Sequence, residues 1–266
     1  MDEIYAVLEK LKASKPLVHH ITNWVTIYDC ANVTRVLGAL PVMAHAEEEV
    51  EEMASSSQAL VLNIGTLTPD LVDSMISAAK KANAKGAPVI VDAVGVGSTS
   101  LRTDKTKEIL AKVHVDILKG NLGEMGTLAG VKAMMRGVES GGAEADAKAV
   151  ASAVAAKYKT VAVVTGKESV ASDGKSTYVV SNGHAMMGSV VGTGCMLASV
   201  IAAFAAVEND HAKAAAYAMV CFGIAGQLAA ADSKGPGSFK ENFYDEIYSL
   251  DGKKIAKLKK IKKVKV

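Results

Sequence analysis

Cysteine is scarce and badly spaced for pairing: there are three, Cys30, Cys195 and Cys221, and no CxxC. An odd number at wide separation argues against a disulfide framework and a zinc site, and it fits a reducing cytosol. Aromatic residues make up only 5% of the 266 residues, and proline occurs five times. Packing therefore falls to Ala, Val, Gly and Ile, which suits helices set closely on a sheet better than an aromatic-rich sandwich. Long hydrophobic runs are rare as well. The one of membrane length, residues 214–231, is rich in alanine, holds Gly223, Gly226 and Gln227, and is bounded by Lys213 and Asp232. It reads as a buried helix of a soluble protein, because a spanning helix wants stronger hydrophobicity. The opening "MDEIYAVLEKLKAS" is charged and amphipathic and lacks the apolar region of a secretory signal. Acid is missing from the last fourteen residues, "KKIAKLKKIKKVKV", which carry eight lysines. The formal charge of +2 belongs to this tail, since the other 22 basic residues face 28 acidic ones. No basic patch elsewhere supports a nucleic-acid or membrane face, so the tail reads as a frayed, solvated helix.

What is present is an alternation of short apolar runs and amphipathic stretches from about residue 59. "ALVLNIG" reads as a buried strand. The helix "TPDLVDSMISAAKKANAKG" follows, with Thr68 as cap, Pro69 in its first turn and Gly86 past its end. "APVIVDAVGVGS" is another buried strand running into a Gly-rich loop, "VDILKGNLGEMGTLAGV" repeats the strand-to-helix pattern, and "KTVAVVTG" is a further strand after a helix over residues 146–158. Strand and helix at this rhythm predict right-handed βαβ units, a mainly parallel sheet and helices on both faces. "SVASDGKSTYVVSNG" carries a DG turn between two β-rich runs and predicts a hairpin at a sheet edge. Two long Ala-rich helices close the fold. "SGGAE", residues 140–144, reads as a loop, so residues 1–266 form one α/β domain with residues 252–266 as its basic tail.

Ligands of open parallel sheets sit beyond the carboxyl ends of the strands. That rule collects Asp92, Gly95 and Gly97 after one strand, Lys119, Asn121 and Glu124 after the next, and Thr165 and Gly166 after a third. "VVGTGC" brings Gly192, Thr193, Gly194 and Cys195 to the start of a helix, where amides and the helix dipole favour an anion. The plainer reading makes Thr193 an N-cap and the glycines mere packing devices. The turn is not a Walker A loop, and it lacks the third glycine of a dinucleotide fingerprint. "NLGE" is a sufficient capping box by itself; beside Lys119, Glu124 is also a candidate to hold Mg²⁺ directly or through water. Asp92, directly before flexible glycines, reads as functional. "HHITNWVTIYDCAN" is polar and aromatic, and His20 and Asn23 fit either core or site roles.

Taken in order, "VHHITNWVTIYDCAN", "GALPVMAHAEEEVEEM", "VDAVGVGST", "LKGNLGE", "VVTGKE", "GSVVGTGCMLAS" and "GPGSFKENFYDEIY" resemble the hydroxyethylthiazole kinases, thiamine-salvage members of the ribokinase-like superfamily. The resemblance runs through most of the chain. Trp24 stands where a smaller ring is usual, Leu40 where a small polar residue is usual, and the lysine tail is extra. It implies a three-layer α/β/α ribokinase-like fold and a cytoplasmic homotrimer with active sites between subunits. It also implies Mg²⁺-ATP phosphorylation of the hydroxyl of hydroxyethylthiazole. Carried over by position, Lys119, Thr165 and Asn121 resemble ATP contacts, and Met43, Gly192 and Asn23 resemble thiazole contacts. Glu124 and Asp92 resemble the magnesium and phosphate element, and Gly194 and Cys195 the catalytic turn.

Other ribokinase-like kinases place an aspartate where this chain has Cys195. A thiol of pKa about 8.5, lowered at a helix N-terminus, could serve as a weak base. Phosphoryl transfer does not require one, because the hydroxyl can lose its proton late. The turn is therefore expected to stabilise an anion, with Cys195 lining the hydroxyl's site. A kinase for the thiamine pyrimidine or another small alcohol is the runner-up. An ATP-dependent dehydratase of the same fold, a hydrolase using Cys195 and His184, and a non-enzymatic nucleotide-binding module are further alternatives.

Overall fold

A computed structural model describes residues 2–130 and 143–265. The first half runs α1 (Glu3–Ser14), β1 (Leu17–Ile21), α2 (Ile27–Leu37), β2 (Leu40–Val42), α3 (Val50–Ser56), β3 (Ala59–Asn63), α4 (Pro69–Lys85), β4 (Val89–Asp92), α5 (Ser100–Lys112), β5 (Ile117–Asn121) and α6 (Leu122–Ala129). The second half runs α7 (Ala143–Tyr158), β6 (Val161–Thr165), β7 (Ser169–Ser172), β8 (Ser176–Val180), α8 (Thr193–Ala205), α9 (His211–Ala231), α10 (Pro236–Tyr248), α11 (Gly252–Leu258) and β9 (Ile261–Lys265).

Among the described residues the strands form one nine-stranded sheet in the order β2-β1-β3-β4-β5-β6-β7-β8-β9. Strands β1 to β6 are parallel and the last three are antiparallel. Alternate side chains of the central strands feed two cores. Val61, Ile90, Ile117 and Val163 meet α1, α2, α8, α9 and α10 on one face. Leu60, Val91, Leu118 and Val164 meet α3, α4, α6 and α7 on the other. This is the three-layer α/β/α arrangement expected. Local signals hold too: Thr68 caps α4 through its side chain, Pro69 opens it, and Gly86 ends it with φ 76°.

Three features differ from the sequence expectation. The alternation begins earlier, because β1 and β2 precede residue 59; "LVHHI" hides its strand character behind two histidines, yet both are buried. The hairpin is β7–β8, but it is not the outermost element. The lysine tail, expected as a solvated helix, forms the short helix α11 and then β9, which pairs with β8 outside the hairpin. "IKKVK" sets β-branched residues among lysines, a composition that protects an edge from further pairing. The loop expected at residues 140–144 lies mostly outside the described residues, and α7 already begins at Ala143. Helix α9 is long and apolar enough to cross a membrane by length and composition alone, but it is packed inside the α8–α10 core with most of its residues buried.

Buried His20 ties β1 to α8, with Nε2 3.1 Å from Ser199 Oγ and Nδ1 3.0 Å from the Val18 carbonyl oxygen. Burial lowers its pKa to about 3, against about 6.5 in an unfolded chain. The folded state thus prefers the neutral ring, so this contribution is full above pH 6.5 and is lost as pH falls toward 3. Between pH 7 and pH 5 the loss is about 2 kcal/mol. Urea unfolding of His20→Asn at both pH values should show the pH-dependent loss smaller by that amount.

Candidate active site

Parallel register builds the site. Asn63 lies beside Asp92 and Asp92 beside Lys119, while Asn121 lies beside Thr165. Asn63, Asp92, Lys119 and Thr165 each stand two residues beyond a residue of the α8-side core (Val61, Ile90, Ile117, Val163). They therefore share that core's face at the carboxyl ends of the strands. The polar row is the sheet's apolar face continued past the point where helices cover it.

A chain of short contacts links this row to α8. Lys119 Nζ donates to Asp92 Oδ1 at 2.8 Å and Asn63 Nδ2 donates to Asp92 Oδ2 at 2.8 Å. Asn23 Nδ2 lies 3.0 Å from Asn63 Oδ1 and 3.4 Å from Cys195 Sγ. Asn23 Oδ1 in turn accepts from the Thr26 amide and hydroxyl. Asp92 is fully buried and Lys119 nearly so. Burial raises the Asp92 carboxyl above its ordinary range against the pull of Lys119. For Lys119, burial works downward, but attraction to Asp92 outweighs it and keeps the ammonium protonated. Burial, followed by the Asp92 charge, also raises the Cys195 thiol. This reverses the lowering expected from the helix terminus. Cys195 is the third residue of α8, half-buried beside a carboxylate, and those two effects exceed the dipole's.

The turn decides one part of the plainer reading of "VVGTGC", the N-cap. Gly192 is the N-cap, with φ 95°, and a methyl group there would lie 2.6 Å from Thr26 Cγ2. Among the described residues, no side chain caps α8. Thr193 does not do so, because its hydroxyl donates to the Met187 carbonyl at 2.9 Å. The first amides of α8 are thus left for water or a ligand. A methyl on Gly194 would stand 3.4 Å from Lys119 Nζ, so the turn and the ammonium address the same space.

Asn121 and Glu124 form the capping box: Asn121 Oδ1 accepts from the Glu124 amide at 2.9 Å, and Glu124 Oε2 accepts from the Asn121 amide at 2.7 Å. Glu124 Oε1 accepts from the Gly95 amide at 2.7 Å, which joins the second glycine loop to the site. Both Asp92 oxygens and both Glu124 oxygens are thus engaged by protein donors. Glu124, only partly buried, fits a cation that keeps its own waters and is carried on phosphates, as Mg²⁺ commonly is; Asp92, with no exposed surface, lends such a cation its charge alone. They do not by themselves make a direct chelate.

A cavity of about 860 Å³ opens at the same helix terminus, lined in part by Thr165, Thr193, Gly194, Met187, Asn182 and Phe222. Its size matches small-molecule sites. On the other side of the turn, Met43 follows the edge strand β2, and its carbonyl lies 3.3 Å from His45 Nδ1. The His45 ring stacks on Trp24 at 4.8 Å. The structure therefore unites Asn23, Asp92, Lys119, Gly194 and Cys195 directly, with Gly192, Asn121, Glu124 and Thr165 adjoining. Met43 stands apart from the hydrogen-bonded network. Asn63 was missed by the sequence reading, although it ends an apolar run just as Asp92 does. Arg102 was missed too: it braces the loops after β3 and β4 by donating to the carbonyls of Ile64, Gly65 and Val94, and nothing in its exposed, charged helix marked it.

The sheet order, the helix-terminal turn and the cavity define a ribokinase-like α/β/α protein. A ribokinase-like superfamily protein from Enterococcus faecalis V583 superposes with a TM-score of 0.65 at 13% identity, covering 91% of this chain and 93% of that one. At that identity the likeness is one of fold alone. The family is fixed by closer matches. The model of the hydroxyethylthiazole kinase family matches residues 8–253. A hydroxyethylthiazole kinase of Methanosarcina mazei is 54% identical over 257 residues, 97% of this chain and 98% of that protein. A solved structure of a hydroxyethylthiazole kinase protein from Pyrococcus horikoshii OT3 has a TM-score of 0.92 and 43% identity, covering all of both chains. The chain belongs to the hydroxyethylthiazole kinase family.

Removing one partner of the Asp92–Lys119 pair leaves the other charge buried and alone. Asp92→Ala should cost about 3–5 kcal/mol of stability. The double variant with Lys119→Ala should cost less than the sum of the two singles, as read from a double-mutant cycle of denaturant unfolding.

Proposed function

We propose that this protein is a kinase that transfers the γ-phosphoryl group of Mg²⁺-ATP to the hydroxyl of hydroxyethylthiazole, 4-methyl-5-(2-hydroxyethyl)thiazole, in thiamine salvage. The carrying observation is the uncapped glycine turn of α8, which stands between a nucleotide-sized cavity and the Asn23–Cys195 contact, in a chain of this family.

ATP lies in the cavity with Thr165 and Asn121 toward its polar parts. Lys119 spends one donor on Asp92 and has others for the phosphates. Amides of the α8 turn, Gly194 among them, stabilise charge on the transferred group without reorganising. The thiazole lies on the other side, toward Asn23, Gly192 and the flexible Met43. Glu124 would hold Mg²⁺ through the ion's waters, with the buried Asp92 contributing its charge to the same site, and the ion would supply charge neutralisation for the phosphates. Cys195 lines the place of the hydroxyl as a neutral thiol, and the proton leaves late.

The chain works as one domain, residues 1–266, in a cytoplasmic homotrimer. Three free thiols suit a reducing compartment. Trp24, Val25, Tyr28 and Val191 are all more than half exposed. They flank the thiazole side, and apolar side chains grouped in this way favour cover by a neighbouring subunit.

The test is ADP formation from Mg²⁺-ATP with and without hydroxyethylthiazole, the product being confirmed by mass. Thiazole-dependent turnover is expected; its absence, with ATP still bound, sinks the substrate assignment. Removing a true general base costs about 10²–10⁴ in rate. Cys195→Ser should instead stay within about tenfold of the parent kcat, and Cys195→Asp should keep or raise it.

A further inference from the structure

The family model's match stops at residue 253, and the lysine-rich tail that follows is hydrogen-bonded to the wall of the cavity from behind. We infer that residues 258–265 are a positioning element for the nucleotide, holding the cavity wall at residues 181–187 in place through Ser181 and Asn182. This rests on the reading of the cavity as the ATP site.

Three observations carry it. First, the register of β9 on β8 continues past the strand end. The Ser181 amide donates to the Lys260 carbonyl at 2.9 Å, and the Lys260 amide donates back to Asn182 Oδ1 at 2.7 Å. Secondly, Asn182 Nδ2 donates to the Leu258 carbonyl at 2.9 Å and to Gln227 Oε1 of α9 at 2.7 Å. A single cavity-lining side chain is therefore tied to the tail twice and to the core helix once. Thirdly, the wall cannot retreat. A methyl on Gly223 of α9 would lie 2.6 Å from Asn182, and one on Gly226 would lie 2.5 Å from Met187 Sδ. Ser181 also reaches the opposite lining segment, its hydroxyl donating to Glu168 Oε1 at 2.7 Å. The two α9 glycines fix how deep the wall sits, and the tail fixes where it sits along the helix.

All the contacts from Lys260 are main-chain, so its charge is not what matters. Lys259 already has φ −59° and ψ 132°, the extended conformation that a following proline requires. Lys260→Pro deletes one donor, and unchanged exchange protection of the Ser181 amide checks that the Lys260 carbonyl it uses is kept. It should raise KM for ATP about fivefold, the worth of one hydrogen bond, while kcat and KM for hydroxyethylthiazole stay within twofold. Lys260→Ala keeps the amide and should match the parent. Deleting residues 259–266 should raise KM for ATP by more than about tenfold with the same selectivity. An unchanged KM for ATP in Lys260→Pro overturns the inference. So does an equal loss for both substrates with a lowered Tm, which marks the tail as merely structural. Hydrogen exchange separates this from failure of the underlying reading. ATP should protect the amides of residues 165–169. If it does not, the cavity is not the nucleotide site and the inference falls with it; if it does, while Lys260→Pro is silent, only the inference falls.

Discussion

The buried contact between Asp92 and Lys119 is the constraint on which the site depends. It occupies the place where an apolar sheet face ends, and each partner makes the other tolerable there. Replaced by hydrophobic residues, the pair would leave a well-packed sheet end and no reason for polar groups to gather. With it in place, Asn63 is drawn to the free Asp92 oxygen, Asn23 to Asn63, and Cys195 to Asn23. One ion pair thus sets the positions of groups on three strands, a loop and a helix. Its cost in desolvation is the cost of holding an ammonium next to an open helix terminus before any phosphate arrives.

The same contact explains the altered character of Cys195. A thiol next to a helix N-terminus ordinarily ionises more readily. Here it shares a dry site with a carboxylate, and both effects favour the neutral form. On the proposed reading, the turn's contribution is electrostatic and geometric, made by amides and an ammonium rather than by a base. This is consistent with a transfer whose transition state spreads charge over phosphoryl oxygens.

Much of this was legible in the sequence because polar residues closing apolar runs mark strand ends facing a ligand. "VIVD" and "AVVT" announce Asp92 and Thr165 in that way, and "NLGE" carries its capping box in plain view. What stayed hidden depended on register or on competing signals. Asn63 ends "ALVLN" in the same manner, but its value appears only when parallel pairing sets it beside Asp92. The two histidines of "LVHHI" mask a buried strand, since hydropathy does not record that His20 finds Ser199. In the tail, lysine count overwhelmed the alternation that makes an edge strand. Whether Thr193 would cap its helix was decided by a carbonyl six residues upstream in a 3-10 turn, which no local pattern contains.

The missing cap on α8 has a consequence for the enzyme as a folded object. A helix start left without a side-chain partner is a standing weakness in the unliganded protein, though with Gly192 as N-cap it costs only about a few tenths of a kcal/mol. An anion seated there repairs it, and any ligand that binds only the native state adds RT ln(1 + [L]/Kd) to folding stability. On the proposed reading, nucleotide supply and protein lifetime are coupled: the chain is sturdiest when its phosphate donor is abundant and most open to unfolding and proteolysis when the donor is gone.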